Sequence, residues 1–338
     1  MADLPHVSVV IPAYNAAERL PTALDSVRAQ TYPSEKLEVI VVDDGSTDDT
    51  AAVAREHLRG ASPMETQVMS VENGGPSWAR NVGWRRSSGE WIQFLDDDDL
   101  LTPGKIETQA AYAKTVGSEA AVLHSDWERM SQNEDGEWVV TGAAQPRIDP
   151  EDPLVDLLSA EGFIHLGSAL FKKGWLDTVS GFDERYSLIE DVHLLLRVAI
   201  AGGQFVRVPS EQSLFLYRDR GGDSLSGQSR VAFAEGCARN ARLVEEHWRK
   251  NKAFTDARKR ALCDAYFYAA RQLAAAGSSE FKRVWSRIKK MDSSALPPHP
   301  PHFRFVSRVL GYPCAEQLSI AFRRLKAWLG LSVPGFSE

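Results

Sequence analysis

Trp91-Ile92-Gln93-Phe94-Leu95-Asp96-Asp97-Asp98-Asp99 starts as an apolar, β-favouring run and ends in four consecutive carboxylates. Asp is poor strand material, so a strand built on the first half stops abruptly at the second. Like charges roughly 6 Å apart repel by about 0.7 kcal/mol even in water. Such a run is tolerable on a solvated loop, or where a cation neutralises it. Hard oxygen ligands at a strand end suit Mg²⁺ or Mn²⁺, which bind one or two carboxylates and complete their shell with substrate phosphates. The plainer reading is that Asp98 and Asp99 favour the positive end of a helix starting near Thr102-Pro103.

The same strand-then-polar pattern occurs twice upstream. Val7-Ser8-Val9-Val10-Ile11 is a continuous run suited to burial on both faces, closed by Pro12-Ala13-Tyr14-Asn15. Leu37 to Val42 is a second such run, ending in Asp43-Asp44-Gly45. Helical patterns fill the gaps. One has Leu20, Leu24 and Val27 on one face with Pro21 in its first turn, one is capped by Ser46 and closed by Gly60, and one runs from Ser77 to Arg86. Val68 to Val71 adds a short strand. Four alternations of strand and helix predict a mostly parallel sheet with helices on both faces, and ligands gather at the carboxyl ends of such strands. The three polar strand exits would meet at one rim.

Beyond Asp99 the rhythm changes. A helix from Pro103 to about Val116 leads to a strand at 120–124. A hairpin follows at 127–130 and 137–141, then strands at 168–171, 204–208 and 214–217. Glu190 to Ala201 reads as an amphipathic helix with Val192, Leu195, Leu196 and Ala199 on one side. Arg218 to Gly227 is polar and Gly-rich, suited to a lid. From Ser229 onward the pattern is helical, at Arg239–Lys250, Arg258–Ala276, Phe281–Met291 and Ala321–Leu329, so the domain boundary falls near 226.

With 338 residues, 43% of them hydrophobic, the chain can bury a large core, and length suggests two units. A net charge of −7 argues against a general nucleic-acid binder. Cys237, Cys263 and Cys314 are too far apart for a C-x-x-C site and read as buried thiols in a reducing, cytoplasmic compartment. The first residues lack the pattern of a signal peptide, and no window is apolar enough to span a bilayer. The helix carrying Arg323, Arg324 and Lys326 beside Trp328 and Leu329 suits either a packed domain edge or peripheral contact with an anionic membrane.

The phosphate loops G-x-x-x-x-G-K-[ST] and G-x-G-x-x-G are absent, as is the G-x-S-x-G elbow. Gly83 inside a helix marks close packing. Arg80 is either a surface charge or a phosphate contact. His165 and His193, single histidines in apolar surroundings, read as structural.

Taken together, 7–15, Val42 to Asp48, Ala79-Arg80-Asn81-Val82-Gly83 and 94–99 resemble the family-2 glycosyltransferases with the GT-A fold. Gly181-Phe182-Asp183-Glu184 followed by Glu190-Asp191 resembles that family's acceptor-side signature. Tyr217-Arg218 with Ser224 and Ser226 resembles its closing loop. The likeness covers about residues 6 to 226. It implies a GT-A domain over 1–226, with a nucleotide-sugar half (1–100) and an acceptor half (101–226), ahead of a helical region at 227–338.

By that resemblance, Pro12, Ala13, Tyr14 and Asn15 would wrap the base and ribose, and Asp44 would bond the base. Asp96 or Asp97 would face the ribose, and Asp98 would be the direct ligand of Mn²⁺ or Mg²⁺. Arg80, Arg218 and Arg220 would hold the diphosphate. Asp191 would be the catalytic base, with Glu190 and His165 on the acceptor side. The implied activity is inverting transfer from a nucleoside-diphosphate sugar, a UDP-sugar favoured, to a hydroxyl of a saccharide or glycoconjugate. Two features depart from the family: the closing loop lacks its histidine, and the Q-x-x-R-W motif of processive members is missing. The alternatives are a nucleotidyltransferase and a non-catalytic nucleotide-sugar binder on the same fold.

Overall fold

The computed structural model describes residues 4–60, 63–186, 188–221, 229–297 and 301–328. Two compact units divide the chain, Met1–Leu225 and Ser226–Glu338.

In the first unit, β1 (Val7–Ala13) is buried along its whole length, as its apolar run demands. α1 (Leu20–Arg28) carries proline in its first turn and buries Leu20, Leu24 and Val27. β2 (Leu37–Asp43), α2 (Thr50–His57), β3 (Glu65–Ser70), α3 (Pro76–Arg86) and β4 (Trp91–Phe94) repeat the alternation. β1 pairs in parallel with β2 and β4, and β3 continues beyond β2. Alternate residues choose opposite faces. Val9, Ile11, Val39 and Val41 pack with Leu20, Leu24 and Ala54, whereas Ile40 and Val42 pack with Ala79 of α3. Helices therefore cover both faces. Gly83 lies where an added Cβ would come within 2.3 Å of Val10 Cγ1, so this glycine lets α3 approach the sheet.

After β5 (Leu100–Leu101) and α4 (Lys105–Ala113) come β6 (Ala120–His124), β7 (Trp127–Gln132), β8 (Trp138–Ala144) and α5 (Pro153–Leu157). Then follow β9 (Ala169–Lys172), α6 (Lys173–Val179), α7 (Glu190–Ile200), β10 (Gln204–Arg207) and β11 (Phe215–Arg218). The main sheet has the order β10-β6-β9-β4-β1-β2-β3, in which β9 runs antiparallel to both neighbours. A second sheet, β5-β11-β7-β8, holds the expected hairpin.

Several element ends differ from the sequence reading by a few residues, and one helix start and one helix face differ for a visible reason. Ser46 does not cap α2, which begins at Thr50. Ser46 Oγ accepts the N–H of Asn15 at 3.0 Å, and Asp48 accepts the N–H groups of Ala17 and Thr50. Side-chain bonds to loop backbone compete here with helix initiation. On α7 the buried face is His193, Leu194, Leu195, Leu196 and Val198, while Val192 and Ala199 are half-buried.

The second unit is helical: α8 (Arg230–Lys250), α9 (Asp256–Ala275), α10 (Glu280–Met291), α11 (Pro301–Leu310) and α12 (Tyr312–Trp328). α8 starts nine residues before the expected Arg239 because Ser229 Oγ accepts the N–H of Ala232 at 3.2 Å, a side-chain cap. The expected last piece is the end of α12, and Leu329 lies outside the described residues.

Candidate active site

Parallel, in-register pairing puts the ends of β1, β2 and β4 on one edge, with Ala13 opposite Asp43. Pro12 and Ala13 are buried within β1, so the side chains this loop offers to solvent are those of Tyr14, 47% exposed, and Asn15. Of the four positions expected to wrap the base and ribose, the first two belong to the sheet. Asn15 adopts a left-handed φ of 46°, which Asn tolerates better than most residues. Its Oδ1 accepts the Thr47 N–H at 2.8 Å. Asp44 accepts the N–H groups of Gly74 and Gly75, each at 2.8 Å, and so ties the end of β2 to the turn before α3. Beside these loops lies a cavity of about 530 Å³ lined by Asn15, Arg19, Thr47, Asp48 and Arg220 among others.

The four aspartates have four different settings. Against burial, which raises it, Arg80 holds the Asp96 carboxyl below its ordinary value; Arg80 Nη2 donates to Asp96 Oδ1 at 2.6 Å. Asp97 is gripped by Arg19 at 2.6 and 3.0 Å, yet burial pushes it up to about 6. Asp98 faces Arg220 at 3.3 Å and is raised by burial and then by Asp96. Asp99 is raised well above its ordinary value by burial and then by Asp98. Asp99 Oδ1 accepts the Arg218 N–H at 2.8 Å, and its Oδ2 is buried with no hydrogen bond. Three raised carboxyls and one orphaned oxygen make a site short of positive charge, and its oxygen donors suit a hard divalent cation.

Asp96, Asp99 and His165 bring potential ligand atoms within 4.8 Å of one another. His165 stacks on Phe215 with ring centroids 4.6 Å apart, and burial pushes its imidazole down to about 4, so the ring is neutral near pH 7. Its Nδ1 accepts the Gly167 N–H at 3.3 Å, which leaves the proton on Nε2, 3.9 Å from Asp99 Oδ2. That tautomer makes His165 a donor toward the carboxylates.

Two of the three expected phosphate arginines are engaged within the protein. Arg80, 5% exposed, bridges Asp96 and, at 2.7 Å, Glu190, so each of its terminal nitrogens already holds a carboxylate. Arg218 is buried, donates through Nε to the Asp98 carbonyl, and sits 5.5 Å over the Trp138 ring. Arg220 stands at the edge of the aspartate run and lines the cavity. Ser224 and Ser226 of the expected closing loop lie outside the described residues.

Glu190 and Asp191 open α7. Ile189 before them has φ 53°, a left-handed backbone that a β-branched residue rarely adopts, and this strained turn aims both carboxylates. Burial first, and the charge of Glu190 second, push the Asp191 carboxyl up to about 7. His193 is structural: it stacks on Tyr186 at 3.9 Å and reaches Asp183 at 3.6 Å. The Gly181-Phe182 stretch is strapped to α3 by Asn81, whose side chain bonds both the carbonyl and the N–H of Phe182 at 2.9 Å.

Sequence reasoning missed Arg19 and Ile189. Arg19 also donates to the carbonyls of Tyr14 and Asn15, at 2.8 and 2.6 Å, and so locks the first loop to Asp97. An arginine at a helix start looks like any surface charge, and no local pattern marks a left-handed isoleucine.

The sequence profile of glycosyl transferase family 2 matches residues 8–178, half of the chain. The chain belongs to glycosyl transferase family 2. A glycosyltransferase of Rickettsia bellii is 26% identical over 296 residues, covering 86% of this chain but 40% of that protein. The chain thus spans well under half the length of that relative. The same fold is seen in solved structures. S. aureus TarS 1-349 in complex with UDP-GlcNAc has a TM-score of 0.67 at 20% identity, covering 94% of this chain and 92% of that one. The mannosyltransferase PcManGT of Pyrobaculum calidifontis, in complex with GDP-Man and Mn²⁺, has a TM-score of 0.54 at 20% identity, covering 95% and 88%. At that identity these two likenesses speak for the fold alone.

Proposed function

We propose that this family-2 chain is a metal-dependent, inverting glycosyltransferase that moves a sugar from a nucleoside diphosphate to an acceptor hydroxyl. One observation carries the reading. The Asp191 carboxyl, poised near pH 7, opens a helix that Arg80 fastens to the aspartate run through Glu190 and Asp96. A general base works best with a pKa near the operating pH.

Tyr14 offers its exposed ring to the base, with Asn15 and Asp44 beside it and Asp96 or Asp97 toward the ribose. Arg220 is the cation a diphosphate can recruit. Asp98, with Asp96 and Asp99 alongside, would hold Mn²⁺ or Mg²⁺, which would neutralise charge on the departing nucleoside diphosphate. His165, neutral with its Nε2–H facing Asp99 from 3.9 Å, lines the inner side of the run. Arg80 and Arg218 act as positioning residues. Asp191 takes the proton of the acceptor hydroxyl as that oxygen attacks the anomeric carbon from the face opposite the leaving group. One displacement with one base inverts the centre, with no carboxylate nucleophile on the donor side. UDP-sugars are the first donors to test, since a structural neighbour holds UDP-GlcNAc; the GDP-Man neighbour makes GDP-sugars the second.

Incubation with UDP-GlcNAc and Mn²⁺, followed by NMR, tests this. Release of the nucleoside diphosphate with inversion at the anomeric carbon is expected, including slow transfer to water without acceptor. Release of the sugar as its 1-phosphate would point to nucleotidyl transfer instead, and an intact donor would point to a binding protein.

A further inference from the structure

The helical unit carries the opposite charge to the rest of the chain. Residues 226–338 hold 20 of the 39 Lys and Arg but only 9 of the 46 Asp and Glu, a net charge of +11 within a chain of −7. Its last two helices are also built inside out. On α12, Leu318, Phe322 and Leu325 follow the i, i+4, i+7 rule and form one apolar stripe, yet all three are exposed. The buried side of that helix includes Glu316, which accepts from Arg323 at 3.3 Å. On α11, Phe305 and Val309 are 68 and 63% exposed, while Ser307 is buried. Arg304 and Arg308 form a parallel exposed stripe one position before them. Lys326 lies 5.1 Å over the Phe322 ring. Glu316, the one acid between Pro301 and Trp328, is buried.

We infer that α11 and α12 form a docking face for an anionic lipid bilayer. A soluble anionic polymer would use the arginines but leave the aromatic and aliphatic side chains in water. A dry protein interface would bury the apolar stripe but would need an acid of its own placed against each flanking cation. A bilayer surface takes both: apolar side chains enter the boundary between headgroups and acyl chains while cations face lipid phosphates. No helix among the described residues is long and apolar enough to cross a membrane, so the contact is peripheral.

Flotation of the full chain with vesicles tests the inference. Wild type should float with vesicles of equal parts phosphatidylglycerol and phosphatidylcholine, less in high salt, and stay behind with phosphatidylcholine alone. Each cation near such a surface contributes about fivefold to partition, so Arg304→Gln with Arg308→Gln should weaken it roughly 25-fold. Phe305→Ser with Leu318→Ser and Phe322→Ser should abolish flotation. Their exposure predicts an unchanged melting temperature, which serves as the folding control. Three results would overturn the inference: no flotation of wild type, equal flotation with phosphatidylcholine alone, or wild-type flotation of the serine variant. A wild type that self-associates through this face and does not float, with a monomeric serine variant, would assign it to a second copy instead.

Discussion

Arg80 and Glu190 stand 110 positions apart in the chain, and Arg80 Nη1 donates to Glu190 Oε1 at 2.7 Å. Through Nη2 the same guanidinium holds Asp96 at 2.6 Å. One buried cation thus couples the end of β4, where the aspartate run starts, to the first turn of α7, where Asp191 stands.

Removing that cation should leave two carboxylates without a partner. Arg80→Gln is expected to cost about 3–5 kcal/mol, the usual penalty for breaking a buried pair from one side. Arg80→Lys should recover only part, because an ammonium lacks the planar fork that reaches two carboxylates at once. Urea unfolding of the three proteins measures this, and equal midpoints would show that the bridge is dispensable.

The pH dependence follows from Asp191. Its folded value of about 7 lies above the ordinary 3.8, so between those values the folded state keeps a proton that the unfolded chain has lost. This group's contribution to stability therefore falls as pH rises from about 4 to about 7, and is level above that. Activity runs the other way, since the ionised form is the base: kcat/KM should rise with pH through about 7. Glu190→Gln removes the second cause of the shift and frees Arg80 from one partner, and both changes favour ionised Asp191. The rising limb should move to lower pH, and a move to higher pH would contradict the assignment.

Metal dependence should be visible without turnover. Nucleoside diphosphate plus Mn²⁺ should raise the melting temperature more than either alone, with about 2.7 kcal/mol gained at a hundredfold excess over Kd. Asp98→Asn should lose most of that gain while the response in EDTA stays the same. Wild-type transfer that EDTA leaves unchanged would remove the metal from the account.

Gly181 has φ +68°, and an added Cβ would lie 2.4 Å from Asn81 Oδ1 and 2.5 Å from Trp84 Nε1. Gly181→Ala should cost about 2–4 kcal/mol, because strained backbone and overpacking add. Urea unfolding reads this loss, and a wild-type midpoint would mean the Asn81 strap yields freely.

Much of the fold was legible because burial writes itself into β1 and β2 as unbroken apolar runs, and into α1 as Leu20, Leu24 and Val27 on one face. The antiparallel β9 was not, since a four-residue apolar strand carries no mark of direction. At the site, the strand-end aspartates stand out by residue type and place, and Asp191 only through the family resemblance. Partner choice does not. Nothing local says that Arg80 would be spent on Glu190, that Asp97 would belong to Arg19, or that Pro12 would be sealed inside the sheet. Those outcomes depend on long-range packing, which sequence spacing does not encode.

The central claim is that Asp191 takes the acceptor's proton, and single-turnover transfer by Asp191→Asn tests it most directly. Asn keeps the size of the side chain and an oxygen that can accept the Val192 N–H, so folding and donor affinity should stay near wild type. Transfer should fall by about 10²–10⁴, the usual worth of a positioned general base. Transfer at the wild-type rate, with donor binding intact, would leave Asp191 a first-turn carboxylate without a chemical role and contradict the mechanism.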